Sequence, residues 1–475
     1  MRIVRAFSGL LGAAFVVFAA GSAAQAQTLT VGPSARVCQL TGQTDWATGA
    51  ATNAQTISRD GLIGIDLGFP VEADGGKLYF LFGDADPPNH PPNTLPGVPP
   101  DDAMGVTTRT QAPDKTTCLD MTLLGGGRRS FGHPVVTLKI TQGSYNVPTG
   151  GAFVNDLIYG FFWAGHCAVS DPYGPNPTTP LVLPAAGPTC IETAASNSLG
   201  HSVLAYAQPS TPLQFTQVAG PPSITYLPGS PMPKGFNYVT AGDPMPRRRG
   251  VDYKRGYETP IPVFGVSRYR MSIPYLAMAP RATFGDVKTW TFYAGVDAMG
   301  GPQWVSYAQW QAGQGGANWT PPAGAELWAN SPNSYSLSGD ERCVGEHQAS
   351  WNPDLGVWLM LYTCGGWQVE ARTAAEPWGP WSKPKQLLSA VNTPSLFCTL
   401  FWNKVVGLNT CPGKVSQQVA GLSFGYFYAP FVMSRYTEPL PAPSPGARSE
   451  KIYWLLSTWD PYQVTVMQST LTVTP

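Results

Sequence analysis

A chain that is poor in charge places acidic residues beside several of its strand-like segments. Asp66 opens an apolar run and Asp84 closes the next one, with a glycine-rich turn between the two runs. Glu346 opens a similar run, while Asp297 and Asp460 each close one. Charged residues make up only 12% of the chain, so such regular placement indicates a role. Two facing carboxylates can cleave a glycosidic bond, one by protonating the leaving oxygen and the other as base or nucleophile.

The segments that carry these acidic residues share one pattern of strand, turn and strand. The clearest example runs from Ile65 to Val71, turns at Asp74-Gly75-Gly76 and returns from Lys77 to Asp84. No long stretch has the apolar spacing of an amphipathic helix. First strands of five such hairpins are predicted to begin near residues 66, 151, 270, 346 and 426. We therefore expect an all-β fold built from repeated units.

The intervals between the hairpins predict a five-bladed β-propeller with long inter-strand loops. Most intervals are about 80 residues, and the one between residues 151 and 270 is stretched by a Pro-, Gly- and Arg-rich insert at about 221–262. Seven blades would need shorter units, whereas a repeated two-sheet sandwich is the main alternative. Residues 27–475 are then expected to form a single domain.

In a propeller the first strand of each blade lines the central channel. Within each hairpin, the start of the first strand and the end of the second lie side by side at one rim, which we call the entry rim. The catalytic residues predicted to meet there are Asp66, Glu346 and Asp84. Substrate contacts are predicted for His347, His166, Trp163, Asp297, Trp459 and Tyr462.

Simpler explanations exist for some of these residues. Asp84 would otherwise cap a turn, and His166 would otherwise be a packing residue beside Trp163. For Asp297 and Asp460 a structural role is the favoured interpretation. His347 would either orient Glu346 or contact the substrate.

The N-terminal residues predict export. Arg2 and Arg5 precede an apolar run from Leu10 to Ala20, and Ala24-Gln25-Ala26 fits a signal-peptidase site. Residues 1–26 are therefore expected to be a signal peptide. The apolar run is too short for a membrane span, and no later segment reaches that length. We expect a secreted or periplasmic protein.

The cysteines agree with export, because all eight follow the signal and suit the four disulfides that an oxidising compartment allows. Eight cysteines allow about a hundred pairings. Short loops favour Cys167–Cys190, Cys343–Cys364 and Cys398–Cys411, which leaves Cys38–Cys118.

The composition limits the partners of the chain. Its formal net charge is zero, which argues against nucleic acid and against electrostatic binding to a membrane surface. Its 15 Trp and 20 Tyr suit a neutral sugar ligand, although most of these rings must fill sheet interfaces. We expect a polysaccharide or oligosaccharide substrate, a monomer and no cofactor. The sequence leaves open whether a calcium ion binds on the propeller axis, although no cluster of ligands requires one.

Several phrases of the sequence resemble a known family. They are Asp66-Leu67-Gly68 leading to Leu81-Phe82-Gly83-Asp84, then Tyr428-Ala429-Pro430-Phe431 and Tyr453-Trp454-Leu455-Leu456-Ser457-Thr458-Trp459. Over about residues 60–475 the chain resembles a secreted bacterial five-bladed propeller family long labelled a domain of unknown function, some members of which are endo-acting D-arabinanases. The phrase Trp378-Gly379-Pro380-Trp381-Ser382 is also seen in five-bladed furanosidases that cut arabinan and xylan.

The resemblance implies a furanoside-cleaving site on the propeller axis. By position, Asp66 matches the base at the start of the first blade and Glu346 matches the acid from a later blade. Asp84 matches the Asp of the family's Phe-Gly-Asp phrase. We therefore expect a secreted glycoside hydrolase acting on a furanose polymer such as D-arabinan. A non-catalytic carbohydrate-binding propeller and a cell-envelope interaction protein are the alternatives.

Overall fold

Antiparallel β-strands make up most of the structure. The computed structural model describes residues 27–86, 101–125, 145–165, 201–217, 232–233, 235–243, 259–267, 270, 272–313, 320–328, 342–364, 368–389, 393–401 and 425–475. The strands form five sheets, which are the blades of a five-bladed propeller. The predicted all-β propeller is thereby confirmed.

Blades 1 and 2 each contain four strands in chain order. Before them come β1 (Thr28–Val31), β2 (Ala35–Gln39) and the short helix α1 (Thr56–Asp60). Blade 1 contains β3 (Gly64–Glu72), β4 (Leu78–Asp86), β5 (Asp101–Thr107) and β6 (Thr122–Leu123), and blade 2 contains β7 (Tyr145–Val154), β8 (Leu157–Gly165), β9 (His201–Ala207) and β10 (Thr216–Gln217). Every side chain from Leu78 to Phe82 is buried, which explains a continuous apolar run in place of an alternating one.

Blades 3, 4 and 5 complete the ring. Blade 3 contains β11 (Tyr238–Ala241), β12 (Ile261–Val266), β13 (Tyr275–Ala279), β14 (Thr291–Val296) and β15 (Pro302–Ser306), followed by α2 (Tyr307–Ala312). Blade 4 contains β16 (Val344–Asn352), β17 (Val357–Cys364), β18 (Gln368–Ala374) and β19 (Lys385–Ser389), followed by α3 (Pro394–Phe397). Blade 5 contains β20 (Tyr426–Val432), β21 (Glu438–Leu440), β22 (Arg448–Trp459) and β23 (Gln463–Thr474). Single 3₁₀ turns lie at Asp74–Gly76, Arg281–Thr283, Val287–Thr289 and Ser434–Tyr436.

The predicted start of blade 3 near residue 270 is wrong. The innermost strand of this blade is β11, which lies within the stretch 221–262 that the sequence predicts to be an insert. The predicted hairpin exists, but its strands β13 and β14 are the third and fourth of the sheet. With only four residues, β11 is too short for its alternating pattern to stand out from the turn residues around it.

The innermost strands β3, β7, β11, β16 and β20 contact one another in that order, and β20 contacts β3. This ring excludes the repeated sandwich. It is closed by the N-terminal strands, because β1 and β2 both pair with β23 and supply the outer layer of blade 5. Thr28 lies opposite Thr474, and Ala35 lies opposite Gln468. The two ends of the described chain therefore share one sheet.

Two of the predicted disulfides are confirmed, Cys38–Cys118 and Cys343–Cys364. Cys398 is also disulfide-bonded, and its predicted partner Cys411 lies outside the described residues, as does the predicted pair Cys167–Cys190. Such bonds persist in oxidising compartments, which agrees with an extracellular or periplasmic protein. The predicted signal peptide, residues 1–26, also lies outside the described residues. Within the described part of the chain, no helix has the length and apolar character needed to cross a membrane.

Candidate active site

Asp66 lies at the entry rim on the innermost strand of blade 1, and its side chain is only 5% exposed. Its partner on β4 is Gly83, and a Cβ atom built there would lie 3.1 Å from Asp66 Oδ1. The hydroxyl of Tyr428, from blade 5, donates a hydrogen bond of 2.7 Å to Asp66 Oδ2. A donor at this distance stabilises the ionised carboxylate, which is the form that a base or nucleophile requires.

The backbone beside Asp66 is irregular in a way that orients its side chain. Leu67 has a left-handed φ of 59°, and the register of β3 on β4 shifts on both sides of Asp66 and Leu67. The Leu67 N–H donates to Ser457 Oγ of blade 5 at 2.8 Å in place of a regular ladder bond. Blade 5 therefore contacts both Asp66 and its neighbour.

Glu346 lies at the entry rim on the innermost strand of blade 4, with its side chain 2% exposed. Arg270 Nη2 donates to Glu346 Oε1 at 3.0 Å, and the arginine side chain is 21% exposed. The guanidinium balances the negative charge that Glu346 carries whenever it is ionised, a charge that would be costly to bury without a partner. Arg270, in the connection between β12 and β13 of blade 3, thus contacts the start of blade 4.

Tyr238, the first residue of β11, lies within electrostatic reach of both carboxylates. Burial raises its pKa well above the usual value for tyrosine, and Glu346 and Asp66 raise it further, against a smaller lowering by Arg270. The phenol therefore stays protonated and remains a hydrogen-bond donor. Asp66 and Glu346 therefore both act electrostatically on one hydroxyl, that of Tyr238.

His347 lies next to Tyr238 and is fully buried. Its Nδ1 lies 2.9 Å from the Gly345 carbonyl oxygen, and its ring centre is 5.6 Å from that of Tyr238. Burial lowers its pKa to about 4, so the imidazole is neutral near neutral pH. This full burial does not favour direct contact of His347 with a ligand.

A row of aromatic rings continues the entry rim along blade 5. We call the half-buried residues Tyr426, Trp459 and Tyr462 the aromatic track. The rings of Tyr426 and Trp459 stack at 5.9 Å and 14°, and Trp459 meets Tyr462 edge to face at 5.2 Å. Tyr426 lies opposite Trp459 in the sheet, as the entry-rim argument predicts for the start of a first strand and the end of a second.

The structure describes the remaining predicted site residues to different extents. Trp163 lies near the end of β8 opposite Val147, is half-buried and packs against two apolar clusters, one formed by blades 1, 2 and 5 and one formed by blades 3 and 4. The backbone of Asp84 belongs to β4 directly after Gly83, but its side chain lies outside the described residues, as does all of His166.

Asp297 and Asp460 both lie in turns. Asp297 follows the fourth strand of blade 3, away from the channel, and its Oδ1 accepts the N–H groups of Met299 and Gly301, each at 2.8 Å. Asp460 is fully buried, with a left-handed φ of 63°, in the tight turn between β22 and β23. For Asp297 the hydrogen bonds match the structural alternative.

Sequence reasoning missed Tyr238, Arg270, Tyr426 and Tyr428 as site residues. Tyr428 opens one of the phrases that carry the family resemblance, so a role for it could have been sought there. Tyr238 was missed because the sequence pattern places the start of blade 3 near residue 270 and does not identify β11 as a strand. Arg270 follows β12 after a short loop, and no local pattern marks it.

A cluster of metal-ligand type lies in blade 4 among the residues that the structure describes. It consists of Cys343, Cys364 and Glu370. The two sulfurs are joined to each other, so they offer no thiolate ligand. The Glu370 carboxylate accepts from Tyr362 at 2.6 Å, so it belongs to a buried hydrogen-bond network.

The fold is a five-bladed propeller, and its innermost strands carry two buried carboxylates, Asp66 of blade 1 and Glu346 of blade 4. A family model described as a domain of unknown function, DUF4185, matches residues 258–468. A search of curated proteins finds no match.

The chain is also similar to several solved structures. They include a protein from Bacteroides ovatus (12% identity, 87% of each chain covered, TM-score 0.41), a GH43_1 enzyme from Xanthomonas citri (10% identity, 86% of this chain and 87% of that one, TM-score 0.36), and the α-L-arabinofuranosidase PaAbf62A from Podospora anserina (10% identity, 86% of this chain and 91% of that one, TM-score 0.33). Similarity this distant says nothing about substrate.

Proposed function

We propose that the chain is a glycoside hydrolase that cleaves furanosidic linkages in a polysaccharide, with arabinan, and D-arabinan in particular, as its substrate. The observation that carries the proposal is that Asp66 and Glu346, buried on the innermost strands of blades 1 and 4, both act electrostatically on Tyr238. Two carboxylates from different blades can flank a sugar that enters the channel mouth. That arrangement is the one that glycosidic cleavage requires.

The surroundings of the two carboxylates support different roles. Asp66 accepts a hydrogen bond from Tyr428 and suits the base or nucleophile. Glu346 is assigned the acid: Arg270 holds its Oε1, and Oε2 is the atom that would deliver the proton to the leaving oxygen. Asp84, next to the Gly83 that faces Asp66, is assigned an assisting role.

The rest of the entry rim suits a neutral sugar polymer. The aromatic track offers half-buried ring faces to sugar C–H groups. The formal net charge of the chain is zero, which does not favour a charged ligand. Export, which the disulfides support, would bring the chain to a substrate outside the cytoplasm.

Incubation of the purified protein with D-arabinan, L-arabinan and arabinoxylan tests the proposal. We expect soluble oligosaccharides from an arabinan, and a loss of at least about 100-fold in rate for Asp66→Asn and for Glu346→Gln. Asp286→Asn is the matched control, because Asp286 is exposed at the far end of blade 3 and only caps a turn. Full activity in either folded rim variant would remove that residue from the mechanism.

The main alternative is a non-catalytic carbohydrate-binding propeller, which the aromatic track would also serve. A glycan array and calorimetric titration with the same polymers separate the two. Binding without any released product would favour the binding protein. If the protein neither binds nor cleaves any of these polymers, the remaining alternative is a cell-envelope interaction protein.

A further inference from the structure

Arg270 is held in place by its own backbone and by its neighbours. Its φ is 58°, in the left-handed region that residues with a side chain rarely adopt, and its N–H donates to the Val344 carbonyl oxygen at 2.9 Å. Val344 in turn donates its N–H to Ser272 at 3.2 Å. The segment around Arg270 is therefore fastened to the first residue of β16, two positions before Glu346.

The side chain of Arg270 fills space that a glycine leaves open. A Cβ atom built on Gly345 would lie 2.7 Å from Arg270 Cγ and 3.3 Å from its Nε. Only glycine at position 345 lets the arginine cross the backbone of β16 this closely. The arginine side chain therefore occupies the space next to Gly345, the residue immediately before Glu346.

The guanidinium then faces two different blades. It donates to Glu346 Oε1 at 3.0 Å on blade 4, and its Cζ lies 6.0 Å from the ring centre of Tyr426 on blade 5. Cations at that distance from an aromatic face are attracted to it. Arg270 therefore spans the gap between Glu346 and the inner end of the aromatic track.

We propose that Arg270 is a positioning residue that fixes the Glu346 carboxylate relative to Tyr426, so that the acid and the sugar-binding rings keep one geometry. The inference rests on the proposed function and deepens it, because it ties the acid to the track that holds the substrate. Its effect on rate follows from geometry, since a displacement of about 1 Å at a reacting group lowers a rate by about 100-fold.

Three variants of the mature chain test this role through different changes. Arg270→Met removes the charge but keeps the length, Arg270→Lys keeps the charge, and Gly345→Ala keeps Arg270 but displaces it. Arg435→Met is the control, because Arg435 pairs with Glu72, the last residue of β3, at the end of that strand away from Asp66. The readouts are kcat and KM on arabinan, the thermal midpoint, and crystal structures of the wild type and Arg270→Met.

We expect kcat to fall by about 100-fold in Arg270→Met with KM changed less than threefold. Arg270→Lys should recover part of the loss, and Gly345→Ala should lose activity although it keeps the charge.

Two results would overturn the inference. One is a rise in KM with kcat unchanged in Arg270→Met, because Arg270 would then bind substrate and not position the acid. The other is a Glu346 carboxylate that occupies the same place in the crystal structures with and without the arginine. The structures also separate this inference from the proposed function: a wild type that cleaves no arabinan refutes the function, while the position of the carboxylate still decides the role of Arg270.

Discussion

The hydroxyl of Tyr428 donates a hydrogen bond of 2.7 Å to Asp66 Oδ2 across 362 positions of sequence. Asp66 belongs to blade 1 and Tyr428 to blade 5, so this bond crosses the junction at which the ring closes. The Leu67 N–H makes a second bond across the same junction, to Ser457. The geometry of the candidate base therefore depends on how the last blade meets the first.

Replacing Tyr428 with phenylalanine removes the donor and keeps the ring. A hydrogen bond to a charged group contributes about 1.5–3 kcal/mol, so we expect kcat/KM on arabinan to fall by about 10- to 100-fold. Tyr453→Phe is the control, since Tyr453 donates to Glu438 outside the site. Equal losses in both variants would show a general effect on folding instead.

The sequence marks the two candidate acids more clearly than the residues around them. Asp66 and Glu346 could be singled out because each lies near the start of the first strand of a hairpin, beside apolar residues. In the structure Asp66 faces Gly83, the neighbour of Asp84. Tyr238 and Arg270 lie on a short strand and in a connection, where no periodic signal exists.

The closure of the ring could not be predicted for a different reason. The pairing of β1 and β2 with β23 joins residues more than 400 positions apart. The residue pattern of a short strand does not indicate which other strand it pairs with. Of the disulfides, Cys343–Cys364 was favoured by its short loop, whereas Cys38–Cys118 followed only as the remaining pair.

Trp459 is the central ring of the aromatic track, so its loss should weaken substrate binding. Trp459→Ala removes the stack with Tyr426 and the edge contact with Tyr462. Each aromatic contact contributes about 0.5–1.5 kcal/mol, so we expect KM on arabinan to rise by about tenfold with a smaller change in kcat. Trp304→Ala is a matched control on the outermost strand of blade 3. An unchanged KM in Trp459→Ala would exclude the track from substrate binding.

Glu450 should make the stability of the chain depend on pH. This fully buried residue of blade 5 accepts a hydrogen bond from Asn352 of blade 4. Burial raises its pKa from 4.5 to about 7, and Asp354 adds to the rise, against a lowering by Asn352. The folded chain therefore binds this proton more tightly than the unfolded chain. Its contribution to stability is complete below pH 4.5 and is lost as the pH rises towards 7.

Glu450→Gln keeps an acceptor for Asn352 but cannot ionise. The loss of stability between pH 4.5 and 7 should be smaller in this variant by roughly 2–3 kcal/mol. Denaturant unfolding at both pH values measures the difference, with the wild type as reference. Parallel stability curves for the two proteins would contradict the assignment.

The two described disulfides should differ in what they contribute to stability. Cys38–Cys118 joins β2 to the segment between β5 and β6 and closes a separation of 80 residues, whereas Cys343–Cys364 closes 21 residues within a hairpin that the sheet already pairs. Because the loss of unfolded-chain entropy grows with the logarithm of loop length, we expect Cys38→Ser/Cys118→Ser to cost about 1 kcal/mol more than Cys343→Ser/Cys364→Ser. Denaturant unfolding of the two double variants and the wild type tests this order. A larger loss in Cys343→Ser/Cys364→Ser would mean that packing around blade 4, and not closure of the ring through β2, controls the stability of the propeller.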